Sequence, residues 1–342
     1  MCSRWFAAVS QAVLLAVGLP AAAQAATRPR YGGTLRVEVR EAPATPDPPQ
    51  SGPGMAQLNG PFTISEWSAG SRAVYLAAED APGGRPFVDR VEVLLGRPPA
   101  EQSIDLDLGK ADIVEAEGAE PRRGPPRKIW ASAPVRIVLL AFGPRVENAA
   151  AREALALAVD RAAIETVLLQ RQGEISGALL PAWLSGYAFL FPGRQDLARA
   201  RSLASSAPPA ARTFSLGAAT PALRRIADRI ALNARDAGLT VIRPAPGAMA
   251  DVNLVEIRIL SADPARALAG VAAALGLAEP AHTETPEGLY VAERRLLDGF
   301  RIVPLFHLPD VYAAAPRVEG GPGITPLGEW RFESLWLEGR LP

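Results

Sequence analysis

The chain has a single cysteine, Cys2, and only two histidines, His282 and His307, in 342 residues. Cys2 precedes the apolar run that opens the sequence, so everything downstream lacks a thiol and can form neither a disulfide nor a thiolate metal site. With so few imidazoles a zinc site would have to use carboxylates, no H-E-x-x-H or comparable spacing exists, and no metal or cofactor is expected. There is no G-x-S-x-G elbow, no G-x-G-x-x-G turn and no phosphate loop, which removes the usual hydrolase, dinucleotide and nucleoside-triphosphate signatures. Lysine occurs only at Lys110 and Lys128, yet basic and acidic residues balance at 36 each. Without a basic excess, a nucleic-acid partner is not expected. No stretch beyond the first turns of the sequence has eighteen uninterrupted apolar residues, so no later membrane span is expected.

The N-terminus, by contrast, is strongly patterned. Arg4 precedes the apolar stretch from Phe6 to Pro20, and the small residues Ala21, Ala22, Ala23, Gln24, Ala25 and Ala26 follow. Basic, apolar and A-x-A segments in that order describe a cleavable secretory signal spanning residues 1–25, with cleavage after Ala25. The run is too short for a spanning helix of about 20 residues, and Pro20 interrupts it. No cysteine follows it to carry a lipid, so export without a lipid anchor is expected. The remaining length, about 315 residues, suits two domains sharing a buried core that must supply all the stability.

Leu35, Val37 and Val39 alternate with polar residues and predict a first strand. The segment from Ala42 to Gly60 is rich in Pro and Gly and reads as a linker. Strand-like pieces follow at Pro61 to Trp67 and Val88 to Leu95, and another polar connection at Glu117 to Lys128. From Val135 the pattern alternates between strands and helices. Val135 to Leu140 is a buried-strand run, and Asn148 caps a helix expected to reach about Gln172. Thr220-Pro221, Asp263-Pro264 and Thr285-Pro286 each place a capping side chain before proline at the first helical position. Phe300 to Phe306 reads as a returning strand. Helices between strands imply an α/β fold with crossover connections that favour parallel pairing.

Few residues carry candidate chemistry. His307, in the apolar stretch Leu305 to Asp310, is the one imidazole placed to act as a base. A lone histidine there is more often a satisfied core group or a ligand contact, and no nucleophile motif accompanies it. Asp105/Asp107 and Glu115/Glu117 read as solvated strand ends. Trp183, Tyr187, Phe189 and Phe191 crowd a Pro/Gly-bounded loop from Leu180 to Gly193, which either plugs a core or lines a pocket.

The order of these segments resembles the family 5 extracellular solute-binding proteins, the peptide, nickel and oligopeptide receptors of ABC importers. Tyr31-Gly32-Gly33-Thr34-Leu35-Arg36-Val37 is similar to the start of those proteins after their signals. Asn59-Gly60-Pro61-Phe62, with Glu66-Trp67 and Gly70, resembles their "G-T-G-P-Y…W..G" segment. Gly83-Gly84-Arg85-Pro86-Phe87-Val88-Asp89-Arg90-Val91 resembles "GG-R-P-Y-L-D-R-V", and Leu108 to Val114 resembles "G-E-V-D-I-V". Arg152 to Ile164 is similar to "R-Q-A-L-N-Y-A-I-D-R-E-A-I", and Leu296 to Tyr312 to the closing "I-P-L-Y….Y" run.

The resemblance implies two α/β lobes of mixed sheets and helices around a ligand cleft. One lobe would join residues 31–130 to 300–342, and the other would span 131–299, with crossovers near Val135 to Leu140 and Val303 to His307. It also implies a monomeric binding protein, not an enzyme, that delivers a small organic or peptide-like solute to an inner-membrane ABC permease. The candidate ligand residues are Trp183, Tyr187, Asp263, His307 and Asp310. Two departures stand out. The interval Pro43 to Asn59 is too short for the domain that relatives insert there. Ile257 and Leu260 occupy the Trp and first Asp of the family's "W-x-x-D-x-x-D-P", which removes the acid that holds a peptide ammonium. Asp263 reads as a helix cap as readily as a ligand group. Those departures also leave open a member that has lost its ligand and serves as an envelope scaffold, and, more remotely, an envelope hydrolase using His307.

Overall fold

A computed structural model of the chain describes residues 28–42, 60–116, 126–187, 190, 193–245, 247–281 and 285–339. The expected signal (1–25), the Pro43 to Asn59 linker, Phe189, Phe191 and His282 lie outside the described residues.

The chain opens with strand β1 (Thr34–Glu38), in which Leu35 and Val37 are fully buried. It lies parallel to β4 (Arg90–Leu94) on one side and β5 (Ile113–Glu115) on the other. A hairpin of β2 (Phe62–Ser68) and β3 (Arg72–Ala77) extends the sheet antiparallel to β4, leaving the largely exposed β2 at its edge. Helix α1 (Pro99–Asp107) connects β4 to β5.

The second half is built around β6 (Lys128–Phe142) and β11 (Ile302–Ala314), of 15 and 13 residues. At about 3.4 Å per residue each is long enough to run through both halves of the molecule. The full sheet order is β2-β3-β4-β1-β5-β11-β6-β10-β8-β9, with β7 (Glu174–Ile175) on β11, where β8 is Thr213–Ala218, β9 Thr240–Ile242 and β10 Val252–Arg258. The alternation of strands and helices favoured parallel pairing, but the central strands are antiparallel, giving the mixed sheet that the resemblance implies. β11 runs antiparallel to β5 and β6, and β6 antiparallel to β10, so the sheet is mixed. Among the described residues, parallel pairing survives only between β8 and its neighbours and around β1.

Three of the four buried clusters explain the burial of β6. Leu35, Val37, Val91, Val93, Ile113, Trp130, Tyr312, Trp330 and Phe332 form one core with the N-terminal strands. Val138, Leu140 and Phe142 face a second core with α2 (Ala149–Ala158), α6 (Pro221–Asp236), Val303 and Phe306. Ile137 and Leu139 point the other way, into a third core with α7 (Pro264–Ala274), α8 (Pro286–Leu297) and Leu180. Helices cover both faces, which is why Val135 to Leu140 reads as an apolar run instead of alternating.

The helix expected from Asn148 to Gln172 is two helices. Val159 adopts an extended conformation (ψ 116°), and Asp160 caps α3 (Arg161–Val167) by accepting a hydrogen bond from Ala163 N at 3.0 Å. Helical periodicity continues across the break, but a second capping side chain offers the backbone an alternative, held by Asn233 Oδ1 accepting from Asp160 N at 3.2 Å. The three cap-then-proline sites each start a helix. Thr220, Asp263 and Thr285 accept from the backbone N–H of the third residue onward.

Candidate functional site

Where the first core gives way to the other two, Pro134 of β6 lies opposite Pro309 of β11, with register shifts on either side. Neither residue has an N–H, so the ladder loses rungs there. Side chains supply the missing bonds. Arg136 Nη2 donates to Pro309 O at 2.6 Å, Trp183 Nε1 donates to Pro134 O at 2.9 Å, and Asp310 N donates to Ser132 Oγ at 2.8 Å.

Asp310 is the electrostatic centre of this junction. It is only 8% exposed, and two guanidiniums hold it: Arg136, with Nε 3.1 Å from Oδ1, and Arg258 at the end of β10, on Oδ2. Arg136 also pairs with Glu256 at 2.9 Å. A segment near the C-terminus, Thr325 to Glu329, laps over the same place. Pro326 O accepts from Ala133 N at 2.9 Å, and Leu327 O accepts from Arg258 Nη2 at 2.9 Å. Gly328 fits against the ion pair only because it has no side chain. A Cβ there would clash with Asp310 Oδ2 and lie 2.7 Å from Arg258 Nη2. Arg258 therefore ties the helical half of the protein to the half containing Trp330 and Phe332.

The indole of Trp183, on the short helix α4 (Ala182–Ser185), is 41% exposed beside this cluster. Its loop is anchored from behind. The fully buried Glu293 of α8 accepts hydrogen bonds from Tyr187 Oη at 2.6 Å and Leu180 N at 3.2 Å, and also from Leu179 N. Burial pushes the Glu293 carboxyl up to about 7, against the lowering effect of these three donors. His307 grips the same stretch from β11, with Nε2 3.1 Å from Leu179 O and 3.5 Å from Ser176 Oγ. Burial pulls its pKa down to about 4. The ring is thus neutral and donates from Nε2.

The five residues singled out from sequence therefore separate. Trp183 and Asp310 meet at the Pro134–Pro309 junction. Tyr187 and His307 lie behind it, holding the loop that presents Trp183. Asp263 is exposed and caps α7, accepting from Arg266 N at 2.7 Å. Sequence reasoning missed Arg136, Arg258 and Glu293, each a charge set among buried apolar neighbours. Glu293 stands four residues from both Leu289 and Leu297, on the buried stripe of α8. The site offers partly exposed guanidinium edges beside an aromatic face, a surface able to receive a carboxylate and an apolar group. Among the described residues no group of three or more His, Cys, Asp or Glu is arranged to hold a metal ion.

One core on the N-terminal side and two beyond it, threaded by the same pair of long strands, suit a hinged binding protein, and the family model for "Bacterial extracellular solute-binding proteins, family 5 Middle" matches residues 14–244. The chain belongs to this family. Solved structures with the same fold include the ABC transporter substrate-binding protein CtaP of Listeria monocytogenes, 17% identical, with a TM-score of 0.67 over 81% of this family 5 chain and 66% of CtaP. NikA of Staphylococcus aureus, in complex with Ni(L-His)2, is 14% identical, with a TM-score of 0.67 over 81% of this chain and 68% of that one. The dipeptide-binding protein of Pseudoalteromonas sp. SM9913, in complex with Met-Leu, is 15% identical, with a TM-score of 0.67 over 82% and 64%. This family 5 chain thus spans about two thirds of the length of the proteins it resembles. Among curated proteins, none matches it. The family and these neighbours are binding proteins. No helix among the described residues is long and apolar enough to cross a membrane.

Proposed function

We propose that this protein is the substrate-binding component of an ABC importer, capturing a small organic or peptide-like solute between two lobes and delivering it to an inner-membrane permease. The observation that carries the reading is the paired-proline junction. Two long strands pass from one core to the others through a short stretch that side chains, not the backbone ladder, hold together, which suits hinge closure. The lobes are residues 31–130 with the C-terminal stretch, and 131–299. In this reading the change-over in β11 lies at Pro309 and not at residue 300, a choice supported by Val303, Leu305, Phe306 and Leu308 packing in the second core.

Arg136, Arg258, Asp310 and Trp183 are the proposed floor of the cleft, with Tyr187 and His307 as its support. Leu260, at the position where relatives carry an acid, is 74% exposed. An apolar side chain there favours a ligand recognised by its carboxylate and apolar parts over one held by an ammonium. The protein is read as a non-enzymatic monomer that works in the periplasm after removal of residues 1–25.

The test is a melting-temperature screen of the purified protein against amino acids, short peptides, organic acids and metal chelates, with native mass spectrometry for any co-purified ligand. A binding solute is expected to raise the melting temperature by mass action, shrink the radius of gyration in solution scattering and alter Trp183 fluorescence. No shift across the library, with no co-purified ligand, would remove this reading.

A further inference from the structure

Far along β11 from the cleft floor, a cavity of about 650 Å³ opens between α2, the start of α5 (Leu197–Ser206) and the first residues of β11. That is the size of a small-molecule site. Its walls are largely apolar, including Leu157, Ala198, Phe300 and Val303. One wall carries Arg161, the first residue of α3, which the break at Val159 and Asp160 turns into the interior.

Arg161 is a buried cation with no counter-charge. It is 3% exposed, and among the described residues no carboxylate lies within ion-pair distance. Nη1 and Nη2 reach the carbonyls of Ala156 and Pro304 at 3.3 and 3.2 Å, while Nε has no partner. Arg152 of α2, 5% exposed, shows what a purely structural arginine looks like here. It donates to Val146, Glu147 and Gly299 carbonyls, all at 2.8 Å. Burial without an acid pulls Arg161 down to about 10. The acids at the cavity are already committed: Glu153 pairs with Arg199 at 2.6 Å, and Asp196 caps α5. At the mouth, Arg194 is exposed and makes no ion pair with any described residue.

We propose that this cavity is a second ligand site, separate from the interlobe cleft, for a small carboxylate with an apolar tail. The carboxylate meets Arg161 and Arg194, and the tail lies against Leu157, Phe300 and Val303. A desolvated guanidinium gains most from an anion that brings its own apolar cover, because the pair then forms where water cannot compete.

Octanoate, octanol and octylamine are suitable probes, with calorimetry and melting temperature as readouts on the full-length protein. Octanoate is expected to bind saturably, at least about ten-fold more tightly than octanol, and octylamine not at all. Ala198→Trp, an exposed wall position, should fill the cavity and weaken octanoate by about ten-fold or more. Arg194→Glu should weaken octanoate but not octanol, and needs no refolding of the interior. Arg258→Ala, in the cleft, should leave octanoate binding as in the parent. Equal binding of octanol, insensitivity to both Ala198→Trp and Arg194→Glu, or loss of octanoate in Arg258→Ala would each overturn the proposal. The proposal rests on the cleft being a separate site: loss in Arg258→Ala would assign octanoate to the cleft, whereas insensitivity to both Ala198→Trp and Arg194→Glu would count against the cavity alone.

Discussion

Pro134 and Pro309 face each other across the two longest strands, at the level where one hydrophobic core ends and the others begin. Each removes a rung, and each carbonyl is capped by a side chain from elsewhere: Trp183 for Pro134 and Arg136 for Pro309. The strands stay continuous as a path but are locally released from each other. Bending there costs fewer backbone hydrogen bonds than at any fully paired level of the same ladder.

Arg136→Met removes the donor to Pro309 O and one of the two cations on Asp310. Arg136 is partly exposed, so the loss is expected to be about 1–3 kcal/mol and not the full cost of a buried pair. Urea unfolding with an unchanged slope checks it. A variant as stable as the parent would mean the junction does not need this bond.

Arg258→Ala frees Leu327 O and half of Asp310. The Thr325 to Glu329 segment should loosen, and the Ala133 amide, which donates to Pro326 O, should exchange about ten-fold faster. Amides of β10 such as Leu254 should keep their protection. Equal acceleration in both places would indicate global destabilisation instead of a local latch.

Gly328→Ala separates backbone strain from crowding. Gly328 and Gly186 have similar positive φ, 77° and 80°, but a Cβ at Gly186 would meet nothing within 4 Å. Gly186→Ala should cost about 1 kcal/mol. Gly328→Ala should cost about 2–3 kcal/mol, because the methyl must also displace the Asp310–Arg258 pair. Equal melting temperatures would show that the ion pair gives way freely.

Glu293 and His307 hold opposite ends of the Leu179 peptide unit and titrate in opposite senses. The Glu293 carboxyl rises from 4.5 to about 7 on folding. Its contribution is therefore complete below about pH 4.5 and lost as the pH climbs through 7. His307 falls from 6.5 to about 4, so its contribution is present above 6.5 and lost as the pH drops through 4. Glu293→Gln should gain on the parent as the pH goes from 4.5 to 8, by at most about 3 kcal/mol. Parallel stability profiles for the two proteins would contradict this.

Local signals in the sequence carried much of the fold. Thr220, Asp263 and Thr285, each before a proline, mark three helix starts because a cap and its proline act within four residues. The break before Arg161 was hidden, since apolar spacing runs on through Val159 and only the distant Asn233 stabilises the alternative. The length of β6 was hidden too. Pro134 looks like the end of a strand until Pro309 is found beside it. At the site, Trp183 stood out as an aromatic in a Pro/Gly loop, and Asp310 as an acid beside an apolar strand. Arg136 and Arg258 did not, because their partner Asp310 lies 174 and 52 positions away in the chain. A charge with buried neighbours on both sides, as in Val135-Arg136-Ile137, is the signal that points to such residues.

The position of β11 shapes how the molecule comes into being. It lies in the middle of the sheet, between β5 and β6, yet ten of the sheet's eleven strands precede it in the chain. Until it arrives, β5 and β6 both present open edges, and all three major clusters lack residues that β11 supplies. A growing chain therefore cannot close either half early, and its contacts span long separations, a topology that folds slowly. During that interval the nascent protein resembles an unfinished sheet more than a folded domain, pliable enough to be threaded and in need of protection from aggregation.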